Sequence, residues 1–363
     1  MLAAPPFNLL STLDKVDEAI DVNADIAIEI LKSAVQPFKL ESHETDGAAM
    51  PHDLDKARST IRQLYRDWSA EGAAERAACY DPVVNEIRAH EIGHVGNKED
   101  MRILVPGAGL GRLVFEICRH GYSVEGNEIS YHQLMASNWI LNHTIEGQQH
   151  DLYPFALEFS NVRNREDQLM SVKIPDVHPS SGLRSPEGSA MDPTDRMSMT
   201  AADFVVLYSQ PMNRHRFDVV ATVFFIDTAP NLIRYIKTVR NCLMEGGIWI
   251  NHGPLLWHFG DRAPGEYDDS KKNKRMGDTP GIEEPGSFEL TDEEVRRLVT
   301  QYGFEVETLS PYDPRIRNDM SGYIQNPNSM LHNVYRNAHW VARKRTLSDD
   351  YPFVDHSGGR GQS

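Results

Sequence analysis

The residues of this chain with the clearest chemical purpose are three closely set glycines, Gly107, Gly109 and Gly111, and the acid that follows them, Glu128. A turn almost free of side chains lets the backbone come close to a ligand. A helix starting there presents unpaired N–H groups and the positive end of its dipole. A carboxylate at the tip of the next strand, as Glu128 would be, suits both hydroxyls of a ribose. A bare glycine turn is the plainer alternative. Further along, Asp203 is followed by Phe204. An acid can take the exocyclic amine of an adenine while an aromatic ring packs beside the base; an aspartate there equally suits a helix N-cap. Gln63 and Arg66 lie three apart on one helical face ahead of the glycines, a spacing that fits ligand contact or solvated surface. Asp227, His252 and His258 complete the set, because each falls after the carboxyl end of a candidate strand, the edge where open α/β sheets hold ligands.

Periodicity supplies the elements that must position these residues. Residues 102–105 are an apolar run ended by Pro106-Gly107, Leu113, Val114 and Ile117 follow at helical spacing, and 122–125 make a second short strand. Strand, glycine turn, helix, strand and acid form the first half of a nucleotide-binding α/β unit. Spacing then separates two ligand types. A dinucleotide fingerprint wants its third glycine where this chain has Arg112. The pattern G-x-G-x-G after a strand is the one used for S-adenosyl-L-methionine, which has no pyrophosphate.

Residues 130–142 predict a helix capped by Ser130, and 217–226 are the most strand-like run, apolar on both faces. A helix through Met244 and a strand at 248–251 continue the βαβ alternation. A capping box of Thr291 with Glu294 opens a helix over 291–302, and 304–308 with 339–343 suggest a final antiparallel hairpin. The fold class expected is α/β with an N-terminal helical extension. That extension reads as a helical hairpin over 7–38, a loop over 41–50 and a second helical region over 54–90, where Tyr65, Trp68 and Tyr80 suit a core. The domain plan is a helical region at 1–95, a cofactor-binding domain at 96–346 with polar insertions at 178–198 and 261–287, and a disordered tail at 347–363.

At 363 residues the chain can hold one large domain with additions, or two small ones. A formal charge of −16 argues against a nucleic-acid surface or an anionic membrane, since no broad basic stripe can neutralise phosphates. Cys79, Cys118 and Cys242 lie far apart, so neither a disulfide framework nor a zinc site is implied, and no metal is expected. The N-terminus MLAAPPFNLL has no basic region or long apolar core, and the longest apolar run, 219–226, is too short to span a bilayer. The expectation is a soluble protein of the cytoplasm, or also of the nucleus.

Several longer motifs occur in order: RDWSAEG followed by ERAACY, then VPGAGLGRL, GNE, MTAADF, FFIDTA and GGIWINHGPLLWHF. In these, over about 60–344, the chain resembles the carnosine N-methyltransferases, a branch of the seven-strand class I methyltransferases with a Rossmann-like sheet. The resemblance implies S-adenosyl-L-methionine as cofactor and a carnosine-like dipeptide as substrate, methylated on an imidazole nitrogen to give anserine. It also implies a homodimer through the N-terminal helices. Gln63 and Arg66 would reach back over the cofactor, Gly107 and Gly109 would form its turn, Glu128 would hold its ribose, and Asp203 with Phe204 its adenine. The implied catalytic residues are Asp227 and His258, which match residues that bind the imidazole dipeptide, and Tyr335, which matches a substrate-contacting tyrosine before the last strand. Asn333 and Val334 replace neighbouring tyrosines of the family. That departure keeps open a histidine within a peptide or protein as the acceptor. His252 stands where the family has an apolar residue, and the resemblance implies no role for it.

Overall fold

The structure, a computed structural model, describes residues 1–40, 49–91, 96–183, 192–260, 288–307 and 323–346. The expected insertion at 261–287, the tail at 347–363, most of the 41–50 loop and residues 184–191 of the other insertion lie outside the described residues. In chain order the strands are β1 (Arg102–Pro106), β2 (Ser123–Glu128), β3 (His150–Leu152), β4 (Val172–Ile174), β5 (Met197–Ala201), β6 (Phe217–Val223), β7 (Leu243–Gly253), β8 (Phe304–Glu307) and β9 (Ala338–Lys344). Their side chains alternate between two apolar layers. Ile103 and Val105 of β1, Ile248 and Ile250 of β7 and Val341 of β9 face one layer; Leu104, Trp249, Trp340 and Ala342 face the other. Strands buried on both faces need helices on both sides.

Seven of these strands form one sheet in the order β5-β2-β1-β6-β7-β9-β8, while β3 and β4 pair separately. β5, β2, β1, β6 and β7 run parallel, and β9 is antiparallel to both β7 and β8, the final hairpin expected from the sequence. The chain builds outward from β1 through β2 to β5, then returns to the other side of β1 with β6. The carboxyl ends of β1 and β6 therefore flank the switch in strand order, where such sheets open a crevice.

The main helices are α1 (Leu9–Ala34), α2 (Pro51–Trp68), α3 (Ala73–Glu91), α4 (Arg112–Arg119), α5 (Tyr131–Asn142), α6 (Phe204–Tyr208), α7 (Leu232–Cys242) and α8 (Asp292–Gln301). None of the described helices is long and apolar enough to cross a membrane. α1 corrects one expectation: residues 7–38 are not a hairpin but hold a single continuous helix. No glycine or proline interrupts it, and Asn23, midway along, bonds through its side chain to both backbone groups of Tyr153 instead of turning the chain. Only Val16, Ala19, Ile26 and Ala34 of α1 are buried, so its apolar spacing overstates how much of it packs. The second helical region, by contrast, is two helices, α2 and α3, with Tyr65, Trp68 and Tyr80 buried as expected. The expected strand at 217–226 stops at Val223, where Phe224 turns left-handed with φ 52°. The capping box of α8 forms as read, with Thr291 and Glu294 bonded reciprocally.

Candidate functional site

A cavity of about 370 Å³ opens at the carboxyl ends of β1, β2 and β6. Its floor is the glycine turn. Gly107 and Gly109 have φ of +68° and +55°, a region that costs an L side chain about 1–2 kcal/mol. At Gly107 a Cβ would also stand 2.5 Å from Cδ2 of Phe225, whereas at Gly109 it would meet nothing within 4 Å. The turn thus packs tightly on one side and leaves open space on the other, the shape a ligand cradle requires.

Glu128 anchors that turn. Its Oε2 accepts the N–H of Gly109 at 2.9 Å, and its Oε1 accepts the N–H groups of Ile129 and Ser130, each at 2.8 Å. Ser130 stands at the N-cap position of α5 but, against the expectation, makes no side-chain cap; Glu128 instead satisfies the two N–H groups ahead of the helix. β2 also runs on through Glu128 instead of ending at 125, which carries the carboxylate to the cavity. Gln133, one turn into α5, lies between Gln63 at 2.9 Å and Glu128 at 3.1 Å.

α2 delivers Gln63 and Arg66 to the opposite wall. The Arg66 guanidinium forms a bidentate pair with Asp67, at 2.7 and 2.9 Å, and Tyr80 donates its hydroxyl to the same carboxylate at 2.9 Å. Burial works against the Arg66 charge, but Asp67 together with Tyr80 and Tyr323 outweighs it and holds the guanidinium well above its ordinary range. Among the ties that hold α2 in place is Arg112, the residue at the missing third glycine. Arg112 is buried, ion-paired with Asp176 at 2.5 Å, bonded to the Asp67 carbonyl at 2.8 Å and stacked over Trp68. A glycine there could not make this latch.

Asp203 fills the N-cap position of α6, where its Oδ1 accepts the N–H of Val206 at 2.9 Å, and also lies at the cavity. Phe204 packs edge-on against Phe225 and Tyr235 at 5.5 and 5.4 Å, and those two rings stack on each other at 5.0 Å. A carboxylate beside an aromatic wall matches an amine-bearing planar base.

The expected substrate end is divided. His258 lines the cavity. Asp227 does not, although Phe225 and Thr228 on either side of it do. Its carboxyl is buried, 2% exposed, with Oδ2 accepting the N–H of Leu256 at 3.0 Å. The His258 N–H in turn donates to the Asp227 carbonyl at 3.0 Å, so the loops after β6 and β7 are knitted together at the cavity wall. Desolvation raises the Asp227 carboxyl above its ordinary range, against the pull of the Leu256 N–H and of His258. Tyr335 lies outside this cavity, edge-on to Phe224 at 6.2 Å and to Tyr323 at 6.1 Å. His252 is buried, its Nδ1 3.3 Å from that of His339 and its Nε2 3.0 Å from Asn337; desolvation, then His339, drives its pKa down to about 3.

One cavity therefore gathers Gln63, Arg66, Gly107, Gly109, Glu128, Asp203, Phe204 and His258, with Asp227 behind its wall and Tyr335 beside it. Sequence reasoning missed Tyr323, whose ring stacks on Phe224 at 4.8 Å and lies 5.5 Å under the Arg66 guanidinium. No periodicity marks that residue. It also missed Gln133 and the aromatic pair Phe224-Phe225, although the latter stands inside the FFIDTA motif. Phe224 and Trp257 hold left-handed backbone at φ 52° and 40°, strain of the kind that collects at working sites. Among the described residues no group of His, Cys, Asp or Glu could hold a metal, and Cys79, Cys118 and Cys242 are buried.

The donor set fits a nucleoside carrying a charged amino-acid tail: a carboxylate for vicinal hydroxyls, an acid and aromatic rings for a purine, and Arg66 with Gln63 for a carboxylate. A family model described as carnosine N-methyltransferase matches residues 43–346, which takes in α2 and α3 as well as the sheet. A carnosine N-methyltransferase of Rattus norvegicus is 38% identical over 337 residues, covering 92% of this chain and 75% of the relative. One of Schizosaccharomyces pombe is 35% identical over 337 residues, covering 93% and 83%. Among solved structures, the CurJ carbon methyltransferase superposes with a TM-score of 0.44 at 14% identity, over 93% of this chain and 70% of that one. The glycopeptide N-methyltransferase MtfA, in complex with S-adenosyl-L-methionine, gives 0.38 at 15% identity, over 74% and 95%.

Proposed function

The chain belongs to the carnosine N-methyltransferase family, and we propose from this premise that it methylates an imidazole nitrogen of carnosine to give anserine. The supporting observation is the convergence of a nucleoside-shaped donor set with His258 and the Asp227 loop at one strand-order switch. The cofactor is S-adenosyl-L-methionine, which when bound supplies an electrophilic methyl group on a sulfonium sulfur. Glu128 holds its ribose, Asp203 and Phe204 its adenine, and Gln63 with Arg66 its amino-acid end. In this reading the catalytic domain spans 96–346, with the helices of 1–95 contributing Gln63 and Arg66.

The chain's own residues then have little proton chemistry to do. An imidazole with a pKa near 6.5 is roughly three-quarters neutral at pH 7, whereas an amine like that of lysine would need about 4–5 kcal/mol to be neutral there. What remains is to choose one ring nitrogen and hold it in line, where positioning can supply several kcal/mol. We assign that task to Asp227, whose carboxyl lies behind the cavity wall, so that the ring reaches it only where the wall between Phe225 and Thr228 opens. By accepting the N–H of the far ring nitrogen it fixes the tautomer, leaves the near lone pair free, and stabilises positive charge as it develops on the ring. The Leu256 N–H holds one oxygen of that carboxylate. His258 faces the cavity and orients the ring, and Tyr335 approaches from the adjoining side.

Mass spectrometry of reactions with carnosine, free histidine and histidine-containing peptides tests the assignment. Methylation of the peptides with carnosine left untouched would replace the dipeptide by a peptidyl histidine as acceptor. The same reading takes the protein as a homodimer through α1, where exposed Leu10, Leu13, Ile28, Leu31 and the C-cap Val35 recur at helical spacing. Light scattering at micromolar concentration checks it, and a monomer mass would remove that assignment.

A further inference from the structure

Beside the donor cavity lies a second one of about 280 Å³. The Tyr323 side chain lines both and forms the partition, and Tyr335 belongs to the second. Its wall carries an ion pair, Arg62 Nη2 to Glu158 Oε1 at 2.6 Å, with the two side chains 37% and 20% exposed. Arg62 directly precedes Gln63, so α2 sends one pair of side chains to the donor cavity and a cation to its neighbour. Burial pushes the Glu158 carboxyl up, against the pull of Arg62. The remaining wall is fastened to the body of the protein. Met330 N–H and Ser329 Oγ both donate to the Asn161 carbonyl, at 2.8 and 3.3 Å, and Gln325 is bonded in both directions to the backbone of Asn333.

A dipeptide whose histidine offers the imidazole also carries one free ammonium and one free carboxylate. The second cavity offers one cation and one anion, already side by side, next to the aromatic partition. A half-exposed pair of this kind contributes about 0–1 kcal/mol, so exchanging it for two pairs with a ligand costs little. A histidine inside a protein chain lacks both charges and would leave the pair closed. We propose that this cavity is the subsite for the two charged groups of the acceptor, with Arg62 taking its carboxylate and Glu158 its ammonium while the imidazole passes Tyr323 toward the donor. The assignment deepens the function proposed above and rests on it.

Methylation kinetics with carnosine, its carboxyl amide and its N-acetyl derivative test the subsite. For the wild-type enzyme each cap should raise KM on the order of tenfold, the loss of one charge-assisted contact, with kcat within about twofold. In Arg62→Gln the acid and the amide should have equal KM, and in Glu158→Gln the free and acetylated amines should, while calorimetry shows unaltered cofactor binding in both. Caps that leave the wild-type KM within about twofold overturn the proposal whether or not the variants fold. So does an Arg62→Gln enzyme that still distinguishes acid from amide as the wild type does. Absence of any transfer to carnosine removes both readings, whereas transfer that ignores the caps removes the subsite alone.

Discussion

Replacing Asp227 by asparagine separates catalysis from folding. The substitution keeps an oxygen that can accept the Leu256 N–H now received by Oδ2 at 3.0 Å, and it removes a charge from a side chain only 2% exposed. Two opposite effects follow. In the resting protein the charge is a burden, because desolvation has raised the carboxyl above its ordinary range. An acid whose folded pKa exceeds its unfolded value costs stability once ionised. That cost is complete above the folded pKa and vanishes below the unfolded one. Asp227→Asn should therefore hold or raise unfolding free energy near pH 8, by about 1 kcal/mol, with the gain disappearing as pH falls toward the ordinary carboxylate range. During reaction the same charge is an asset. A full charge about 4 Å from a developing imidazolium is worth about 4 kcal/mol at an effective dielectric constant of 20, and the amide dipole recovers only part of it. A net loss of about 3 kcal/mol corresponds to roughly a hundredfold in kcat. Urea denaturation gives the first quantity, steady-state kinetics with carnosine the second, and calorimetry with S-adenosyl-L-methionine a control that should not move. If kcat stays within about threefold of wild type, Asp227 does not face the reacting ring. An equal fall in turnover and cofactor affinity would make it a support for the fold.

Glu128→Gln turns an amide nitrogen toward N–H groups of Gly109 or of Ile129 and Ser130, donor against donor, and should cost about 1–3 kcal/mol of stability and on the order of tenfold in cofactor affinity. Calorimetry that finds wild-type affinity would take Glu128 off the ribose. Glu75 receives the Ile324 N–H on both oxygens, at 2.8 and 3.0 Å, yet burial raises its pKa from 4.5 to about 7. Its ionisation therefore costs stability, absent below about pH 4.5 and full above about 7. With allowance for partial solvent screening, Glu75→Gln should stabilise by about 1–2 kcal/mol at pH 8 and by nothing at pH 4, and urea titrations showing no pH dependence in that gain would contradict the cause assigned here. Gly107→Ala places a Cβ 2.5 Å from the Phe225 ring at a left-handed φ, so both melting temperature and cofactor binding should fall; a shift in melting temperature with intact binding would show the turn accommodating the displaced ring.

The glycine-turn half of the candidate site was legible because its parts are contiguous. From Arg102 to Glu128 the strand, turn, helix and acid follow within one βαβ unit, and local spacing alone decides which groups share an edge. The two flanking layers followed from the same logic, since β-branched runs without a polar face must be covered on both sides. Apolar spacing does not tell how many partners a helix has. α1 shows helical intervals over its whole length, but the sequence could not tell one long helix bonded through Asn23 to Tyr153 from two short ones packed together.

By itself, then, the sequence determined the class of sheet, the glycine turn and the acid that follows it, all products of short-range geometry. Tertiary structure decided the rest. Arg112, buried against Asp176 and Trp68, brings α2 and its Gln63 and Arg66 across the cavity. The loops after β6 and β7 draw Asp227 behind its wall and leave His258 at its face. Tyr323, with no pattern to announce it, becomes the partition between two cavities. The reason is physical: the apolar rhythm of a segment reports which face seeks cover, whereas distant segments folding together determine what covers it and which polar groups are left facing a ligand.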